Sequence, residues 1–327
     1  MRVFVTGGAG FIGSHFVRQL IADAYPAYAG AEVTVFDKLT YAGNLANLAP
    51  VADSPRYRFV QGDICDANAL DAVLPGHDLV VNFAAESHVD RSITGAADFV
   101  VTNVLGAQTV FDACLRAATP RVVHIGTDEV YGSIDEGSWT EDAPLLPNSP
   151  YSAAKAGAEL LARAYGVTYG LNISTTRCSN NYGPYQFPEK VVPLFVTNLM
   201  DGKTVPLYGD GLNVRDWLHV DDHCRGIAIV AEKGEPGRSY NIGGGVELPN
   251  RELVDRLLTA CGATWDSVTY VEDRKGHDRR YSVDDTLLRG LGYAPQHGLE
   301  DGLAETVAWY HDNEAWWRPL KEKAALA

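Results

Sequence analysis

Short apolar runs alternate with stretches of helical periodicity through the first half of the chain. Six runs rich in β-branched residues predict strands, and they cover 3–5, 33–36, 57–60, 79–83, 122–125 and 172–176. Apolar side chains recur at helical spacing between these runs and predict helices near 11–24, 66–74, 95–118 and 150–169. This alternation is typical of an α/β fold in which helices cover both faces of a doubly wound parallel sheet.

The rhythm changes after residue 177, where the predicted elements become shorter. Helical spacing recurs near 190–200, 221–232, 250–261 and 301–318, and the turns between these segments are rich in glycine and proline. Neither an internal repeat nor a flexible linker is visible. We therefore predict a larger domain over 1–177 and a smaller, mixed α/β lobe over 178–327, packed together, with some of the later chain crossing back.

Composition narrows the possible partners. The 327 residues include 27 Lys and Arg against 42 Asp and Glu, a formal net charge of -15, which disfavours nucleic acid as a partner. No apolar stretch is long enough to span a membrane, and no targeting segment is recognisable. The five cysteines lie far apart without a Cys-x-x-Cys pair, so we expect reduced thiols, no metal site and a cytoplasmic location.

A glycine-rich turn follows the first predicted strand. Gly8, Gly10 and Gly13 satisfy G-x-G-x-x-G, while Gly7 replaces Gly8 in a second, wider pattern. Between a strand and a helix, such a turn presents backbone N–H groups and a helix N-terminus to a pyrophosphate. The motif and its context predict a Rossmann-type fold that binds a dinucleotide.

Acidic residues follow the second and third predicted strands. Asp37 ends the second strand, somewhat further from the glycines than usual because of the loop 24–30. A carboxylate there binds both ribose hydroxyls and repels a 2′-phosphate, which favours NAD over NADP. Asp63 and Ile64 would lie beside the adenine, although Asp63 could equally cap the helix that begins near Asp66.

Tyr151 and Lys155 are four residues apart and so lie on one face of a predicted helix. A tyrosine with a pKa near ~10 becomes a base at neutral pH only if that pKa falls by about three, which a nearby ammonium and a positive nicotinamide can achieve. This pair is common by chance on solvated helices. After the fifth strand of a dinucleotide fold, it becomes a candidate for proton transfer beside the nicotinamide.

Two adjacent carboxylates, Asp128 and Glu129, follow Thr127 at the end of the fifth predicted strand. Ligands of such sheets bind at this carboxyl edge. An oxidoreductase needs only the Thr, Tyr and Lys set, so the carboxylates point to additional acid and base chemistry, in which one is protonated and the other ionised. The alternative is a pair of solvated loop acids.

Five segments together resemble the dTDP-glucose 4,6-dehydratases, which are extended short-chain dehydrogenase/reductases that act on nucleotide sugars. The resemblance spans nearly the whole chain and is carried by residues 6–13, 37–44, 85–92, 127–132 and 177–185. Gly126, Ala154 and Lys275 depart from residues common in that family. These departures leave open the choice between a dTDP and a UDP nucleotide.

The resemblance implies a tightly bound NAD and a nucleotide-sugar substrate. It places Thr127, Asp128, Glu129, Tyr151 and Lys155 as catalytic residues. The residues that it implies for NAD are Gly7, Gly10, Phe11, Ile12, Gly13, Asp37, Lys38, Leu39, Thr40, Asp63, Ile64, Phe83, Ala84, Ala85, Ser87, Thr102, Tyr151, Lys155 and Asn181. Those that it implies for the nucleotide sugar are Ser87, Thr127, Asn180, Lys190, Val191, Pro206, Tyr208, Arg215, Asn250, Arg274 and His277.

The implied reaction is a hydro-lyase reaction with internal redox chemistry. Oxidation at C4 acidifies the C5 hydrogen, Glu129 removes it while Asp128 protonates the departing C6 hydroxyl, and hydride returns to C6. A UDP-sugar 4-epimerase would share the fold and the Tyr and Lys pair without needing the two carboxylates. A non-catalytic NAD sensor would need none of these groups.

Two long helices, near 95–118 and 150–169, carry more apolar surface than one sheet contact requires. Paired across a two-fold axis, they predict a homodimer built on a four-helix bundle. The alternative is that both faces of these helices are buried within one chain.

Overall fold

A computed structural model describes residues 1–325 of the chain. Its strands are β1 Arg2–Thr6, β2 Glu32–Asp37, β3 Tyr57–Gln61, β4 Leu79–Asn82, β5 Arg121–Thr127, β6 Ile173–Cys178, β7 Asn180–Tyr182, β8 Val205–Tyr208, β9 Val214–His219, β10 Ser239–Ile242, β11 Glu247–Pro249 and β12 Val268–Val271. Its α-helices are α1 Phe11–Ile21, α2 Ala67–Val73, α3 Val89–Thr94, α4 Ala96–Phe99, α5 Ala107–Arg116, α6 Pro150–Tyr169, α7 Val191–Met200, α8 Val220–Lys233, α9 Asn250–Ala260, α10 Thr286–Arg289, α11 Leu299–Asp312 and α12 Glu314–Ala325.

The main sheet has seven parallel strands in the order β10-β6-β5-β4-β1-β2-β3. The strand order reverses at β1, because β2 and β3 lie on one side of it and β4, β5 and β6 on the other. This switch point leaves a crevice at the carboxyl ends of β1 and β4. The six predicted strands are all present, which confirms the predicted Rossmann-type fold.

The seventh strand, β10, comes from the C-terminal half and pairs with β6, Tyr240 lying opposite Thr176. Its four residues are flanked by turns, so the sequence alone gave too little periodicity to identify it. The later chain therefore does cross back into the main sheet. The boundary near residue 177 stays a prediction.

Successive side chains along the strands pack into two hydrophobic cores on opposite faces of the sheet. Val3 and Val5 pack on the face covered by α1 and α8. Phe4 points the other way, into the core that contains residues of α2, α5 and α6. This alternation has the period of two expected of strands buried on both faces.

The C-terminal half adds two small sheets, β11-β9-β7 and β12-β8, and a third core to which α7, α9 and α11 contribute. The single helix predicted over 301–318 is wrong, because α11 ends at Asp312 and α12 begins at Glu314. Asn313 interrupts the helix at the break, where its side-chain amide donates to the Trp309 carbonyl at 2.8 Å.

The last helix also contacts the first part of the chain. The Trp316 indole N–H donates to the side-chain oxygen of Asn47 at 3.0 Å, and the Asn47 amide donates to the Ala9 carbonyl in the glycine-rich turn at 2.9 Å. Within residues 1–325, no helix is long and apolar enough to cross a membrane.

Candidate active site

One cavity of about 570 Å³ lies at the carboxyl edge of the main sheet. It is lined by residues that end or follow β1, β2, β4, β5 and β6, as expected for this fold. All five predicted catalytic residues line it, as do the predicted cofactor residues other than Leu39. The lining also includes Ser87, Asn180 and Lys190 from the predicted substrate set.

The glycine-rich turn is packed too closely for larger residues. Gly7 has a φ of +66°, and a Cβ there would lie 2.6 Å from the backbone nitrogen of Ala84. A Cβ on Gly13 would lie 2.4 Å from the Gly7 carbonyl oxygen. Gly10 precedes α1 and offers no side-chain cap, so the first N–H groups of α1 are left for a ligand. Such a donor set fits a diphosphate.

Asp37 lies at the end of β2 with both carboxylate oxygens fixed by backbone N–H groups. Ala9 donates to Oδ2 at 2.9 Å and Leu39 donates to Oδ1 at 2.8 Å. Burial raises the pKa of Asp37, and the two hydrogen bonds oppose that rise. Leu39 does not line the cavity, and its backbone N–H orients the carboxylate instead. The orientation of Asp37 into the cavity fits recognition of a ribose.

Asp63 faces the same end of the cavity and forms an ion pair with Lys38 at 2.7 Å. Its Oδ1 accepts a hydrogen bond from the Cys65 N–H at 2.9 Å. The alternative in which Asp63 caps α2 is wrong, because Asp66 is the N-cap residue and accepts from the Ala69 N–H at 3.1 Å.

The loop after β5 brings both predicted carboxylates to the cavity. The Thr127 hydroxyl accepts a hydrogen bond from the Glu129 N–H at 3.3 Å, which shapes the short 3₁₀ turn Asp128–Tyr131. Asp128 is buried and Glu129 half-buried, so the alternative of two solvated loop acids is wrong. Burial and the neighbouring charge of Glu129 raise the pKa of Asp128 well above its usual range.

Glu129 lies among cations. Burial raises its pKa, and the charges of Arg274, Arg215 and Lys190, in that order, oppose the rise. The two carboxyl groups therefore differ in environment, since Asp128 is flanked mainly by negative charge and Glu129 mainly by positive charge. Adjacent carboxyls of this kind favour different protonation states.

Tyr151 and Lys155 project from the first turns of α6. The helix begins with a capping box between Ser149 and Ser152, which fixes the position of that first turn. Lys155 donates to the Ile125 carbonyl at 2.5 Å, and burial lowers the pKa of Lys155 to about 8. Burial and the charge of Glu129 raise the pKa of Tyr151, and a hydrogen bond with Thr127 opposes the rise. That an ammonium and a positive nicotinamide together lower this pKa stays a prediction.

The remaining predicted substrate residues do not line the cavity, although the charges of Arg215 and Arg274 act on Glu129 within it. Arg215 donates to the Asp278 carbonyl at 2.9 Å, and Arg274 lies 3.7 Å from a carboxylate oxygen of Asp90. The ring of Tyr208 is 6.2 Å from that of His277. The others begin or belong to neighbouring elements, with Val191 at the start of α7, Pro206 in β8 and Asn250 at the start of α9.

Several lining residues were not found from the sequence. Glu86 comes directly before the predicted Ser87 in the sequence, and Asp98 comes four residues before the predicted Thr102. Cys178 and Ser179 directly precede the predicted Asn180. The others are Phe36, Ala42, Gly43, Gly62, Val101, Ile125, Gly126, Gln186, Phe187 and Glu189. Of these residues, Ala42, Gly43, Glu86, Cys178 and Ser179 lie within the segments that carry the family resemblance, but no role was predicted for them.

Comparison with known proteins agrees with this geometry. A family model described as GDP-mannose 4,6 dehydratase matches residues 4–306. A dTDP-glucose 4,6-dehydratase of Streptomyces griseus is 60% identical over 325 residues, covering 99% of this chain and 98% of the relative. The chain belongs to the dTDP-glucose 4,6-dehydratase family.

Solved structures show how this dehydratase relates to its neighbours. DesIV, a dTDP-glucose 4,6-dehydratase from Streptomyces venezuelae solved with NAD bound, has a TM-score of 0.97 and 64% identity, covering 98% of this dehydratase and all of DesIV. A UDP-glucose 4-epimerase from Thermus thermophilus, also solved with NAD, has a TM-score of 0.87 and 31% identity, covering 96% of this chain and 100% of the epimerase. The fold is therefore common to both reaction classes.

Proposed function

We propose that this chain is a dTDP-glucose 4,6-dehydratase that converts dTDP-glucose into dTDP-4-keto-6-deoxy-glucose while NAD stays bound. The observation that carries the proposal is that Asp128 and Glu129 share a cavity with Tyr151, Lys155 and the glycine-rich turn. A redox enzyme without an elimination step has no use for that carboxyl pair. Relatives at 58–60% identity that bear this name support dTDP-glucose as the substrate.

The first half of the reaction requires a base at the C4 hydroxyl. Tyr151 accepts that proton, and Thr127 positions the hydroxyl through a hydrogen bond. Bound NAD supplies the hydride acceptor at C4 and the hydride donor at C6, and its positive nicotinamide is the charge that would lower the pKa of Tyr151. Lys155 lies one turn further along α6 on the same face as Tyr151, and with a pKa of about 8 it is still mainly protonated at neutral pH.

The second half requires an acid and a base on neighbouring carbons. Glu129 removes the C5 proton, because the cations around it favour its ionised form. Asp128 donates a proton to the departing C6 hydroxyl, because burial and Glu129 favour its protonated form. Burial raises the pKa of both carboxyl groups, well above the usual range for Asp128, while three cations oppose the rise at Glu129; of the two, Asp128 is therefore better suited to hold the proton.

The cationic cluster beside the cavity fits the diphosphate of the substrate. Arg215 is buried, and its guanidinium lies 4.2 Å from the centre of the Tyr281 ring. With Arg274 and Lys190, it gives positive charge at this end of the site of an otherwise acidic protein. Guanidinium groups bind phosphate oxygens in a bidentate manner.

We also propose a cytoplasmic homodimer. Apolar side chains are exposed on the two predicted interface helices, with Leu105 51%, Leu160 57% and Val167 73% exposed. Exposed apolar side chains that together form a patch mark interaction sites. A two-fold axis past these helices would form the four-helix bundle.

The function is tested by incubating the purified protein with dTDP-glucose or UDP-glucose without added NAD. Mass spectrometry then measures the masses of the products. Loss of one water from dTDP-glucose is the expected result. Deuterium placed at C4 should appear at C6 of the product. A product of unchanged mass that chromatography separates from the substrate would identify an epimerase, and no product with either sugar, even after NAD is added, would contradict the proposal.

A further inference from the structure

Three segments that are distant in sequence meet beside the cofactor end of the cavity. They are the loop 38–44 after β2, the segment 86–91 that leads into α3, and the segment 186–190 that precedes α7. Each contributes to the cavity lining, through Thr40, Ala42 and Gly43, through Glu86 and Ser87, and through Gln186, Phe187, Glu189 and Lys190.

Tyr41 and Arg91 join the three segments. The guanidinium carbon of Arg91 lies 4.3 Å from the centre of the Tyr41 ring, in cation–π geometry. Arg91 also forms an ion pair with Glu189 at 3.1 Å. The Tyr41 ring meets Phe187 edge to face at 5.7 Å, and its hydroxyl hydrogen-bonds to Glu86. We call Tyr41, Arg91, Phe187 and Glu189 the Tyr41 bridge.

The base of the 38–44 loop is fixed to the groups that fit the nucleotide. The Asn44 N–H donates to the Ala9 carbonyl at 3.0 Å, inside the glycine-rich turn. A Cβ on Gly43 would lie 2.9 Å from a carboxylate oxygen of Asp37. Leu39, in the same loop, has a φ of +59°. The loop therefore turns sharply over Asp37, and its tip at Tyr41 reaches the segments on the other side.

Tyr41 and Arg91 do not line the cavity, although their neighbours Thr40, Ala42 and Glu86 do. Both side chains are half-buried. Tyr41 and Arg91 therefore lie behind the groups that would touch a ligand, while Phe187 and Glu189 of the bridge belong to the cavity lining. The contacts of the bridge tie the loop over Asp37 to the opposite side of the cavity.

We propose that the Tyr41 bridge retains the NAD cofactor throughout the catalytic cycle, with Tyr41 and Arg91 acting as positioning residues. The inference rests on the proposed function, in which the hydride taken from C4 must return to C6 of the same sugar. A cofactor that left between these steps would leave an oxidised, unfinished intermediate. A dehydrogenase that exchanges NAD in every cycle has no such requirement.

The test compares Arg91→Met and Tyr41→Leu with the wild-type protein. Arg91→Met keeps an unbranched side chain but removes the cation and the ion pair with Glu189. Tyr41→Leu removes the ring. Tyr41→Phe keeps the ring and loses only the hydrogen bond to Glu86. The matched control is Arg238→Met, since Arg238 forms an exposed ion pair with Glu235 away from the cavity.

Two measurements read out the cofactor itself. One is the NAD content of each protein after gel filtration, and the other is the exchange rate of bound NAD with isotopically labelled NAD. Arg91→Met and Tyr41→Leu should exchange NAD on the order of tenfold faster or more, because lost contacts act mainly on dissociation. Tyr41→Phe should fall nearer the wild type, and Arg238→Met should match it.

Folding and function are controlled separately. Circular dichroism with saturating NAD checks that each variant is folded, and added NAD should restore dehydration by Arg91→Met and Tyr41→Leu. Wild-type exchange rates in both of these folded variants would overturn the bridge. Failure of the NAD-loaded wild type to dehydrate dTDP-glucose would instead overturn the proposed function, whatever the exchange rates are.

Discussion

Asp128 and Glu129 are neighbours in sequence, yet different charges surround them. Asp216 adds to the negative charge near Asp128, and it is itself a buried carboxylate that accepts from the Ser179 hydroxyl at 2.6 Å. The positive charges that act on Glu129 are those of Arg274, Arg215 and Lys190. These different surroundings support the proposed assignment of the acid to Asp128 and of the base to Glu129.

This division of roles predicts opposite outcomes for substitutions in one cavity. Tyr151→Phe removes the base for C4 oxidation, so no reduced cofactor should form. Asp128→Asn and Glu129→Gln leave Thr127, Tyr151 and Lys155 in place, so oxidation should proceed while elimination slows by ~10²–10⁴-fold. Reduced nicotinamide should then accumulate, and its near-ultraviolet absorbance in a stopped-flow experiment measures it. Normal dehydration by both carboxyl variants would refute the assignment.

Residues that belong to continuous motifs were the ones that sequence could place. Gly13, Asp37 and Tyr151 all line the cavity, because each is fixed by the element that it begins or ends. Tyr41 and Arg91 lie within two of the segments that carry the family resemblance, but the sequence predicted no role for them. Their contacts depend on segments far apart in the chain, and no local spacing reports such contacts.

Among the elements, the predicted helix 95–118 differs most from expectation. It is divided into α4, a π-helical segment over 100–106 and α5. The Asn103 side chain there accepts from the Glu86 N–H at 2.8 Å and donates to the Glu86 carbonyl at 2.9 Å. π-Helical turns are frequent at functional sites, and apolar periodicity alone does not distinguish them from a regular helix.

The junction of β9 and α8 buries two neutral histidines. Burial, with the charges of His297 and His15, lowers the pKa of His219 to about 4. His223 contacts the Asn181 side chain at 2.9 Å, and burial lowers its pKa to about 3. Asp221 and Asp222 oppose the shift at His219 but do not reverse it.

These histidines predict a loss of stability in mild acid. In the unfolded chain these histidines bind protons below about pH 6.5, whereas in the folded chain His219 binds one only near pH 4 and His223 only near pH 3. The free energy of unfolding therefore falls as the pH falls from about 6.5 towards these folded-state pKa values. At pH 5 the loss should be about 2 kcal/mol for each histidine relative to pH 7. Urea unfolding at both pH values measures it. His223→Gln should weaken the dependence and the exposed His311→Gln should not. An equal pH dependence in all three proteins would contradict the prediction.

For the whole molecule, the exposed apolar side chains predict which substitutions would break the proposed dimer. Leu105→Glu and Leu160→Glu each place a charge at a side chain that the folded chain leaves about half exposed, so folding should be preserved while association is lost. Sedimentation equilibrium at micromolar concentration should give a monomer for both. The control is Leu146→Glu, because Leu146 is 60% exposed but lies in the loop between β5 and α6. This variant should remain dimeric. A monomeric wild type would refute the dimer itself.

The position of β10 has a consequence for synthesis on the ribosome. A nascent chain that ends near residue 177 already contains β1 to β6, but the outer edge of β6 has no neighbour until residues 239–242 have emerged. An unpaired edge strand invites pairing with other chains. The contact from Trp316 to Asn47 forms later still, when translation is almost complete. We therefore expect the nascent N-terminal half to depend on chaperones until β10 emerges and protects the edge of β6.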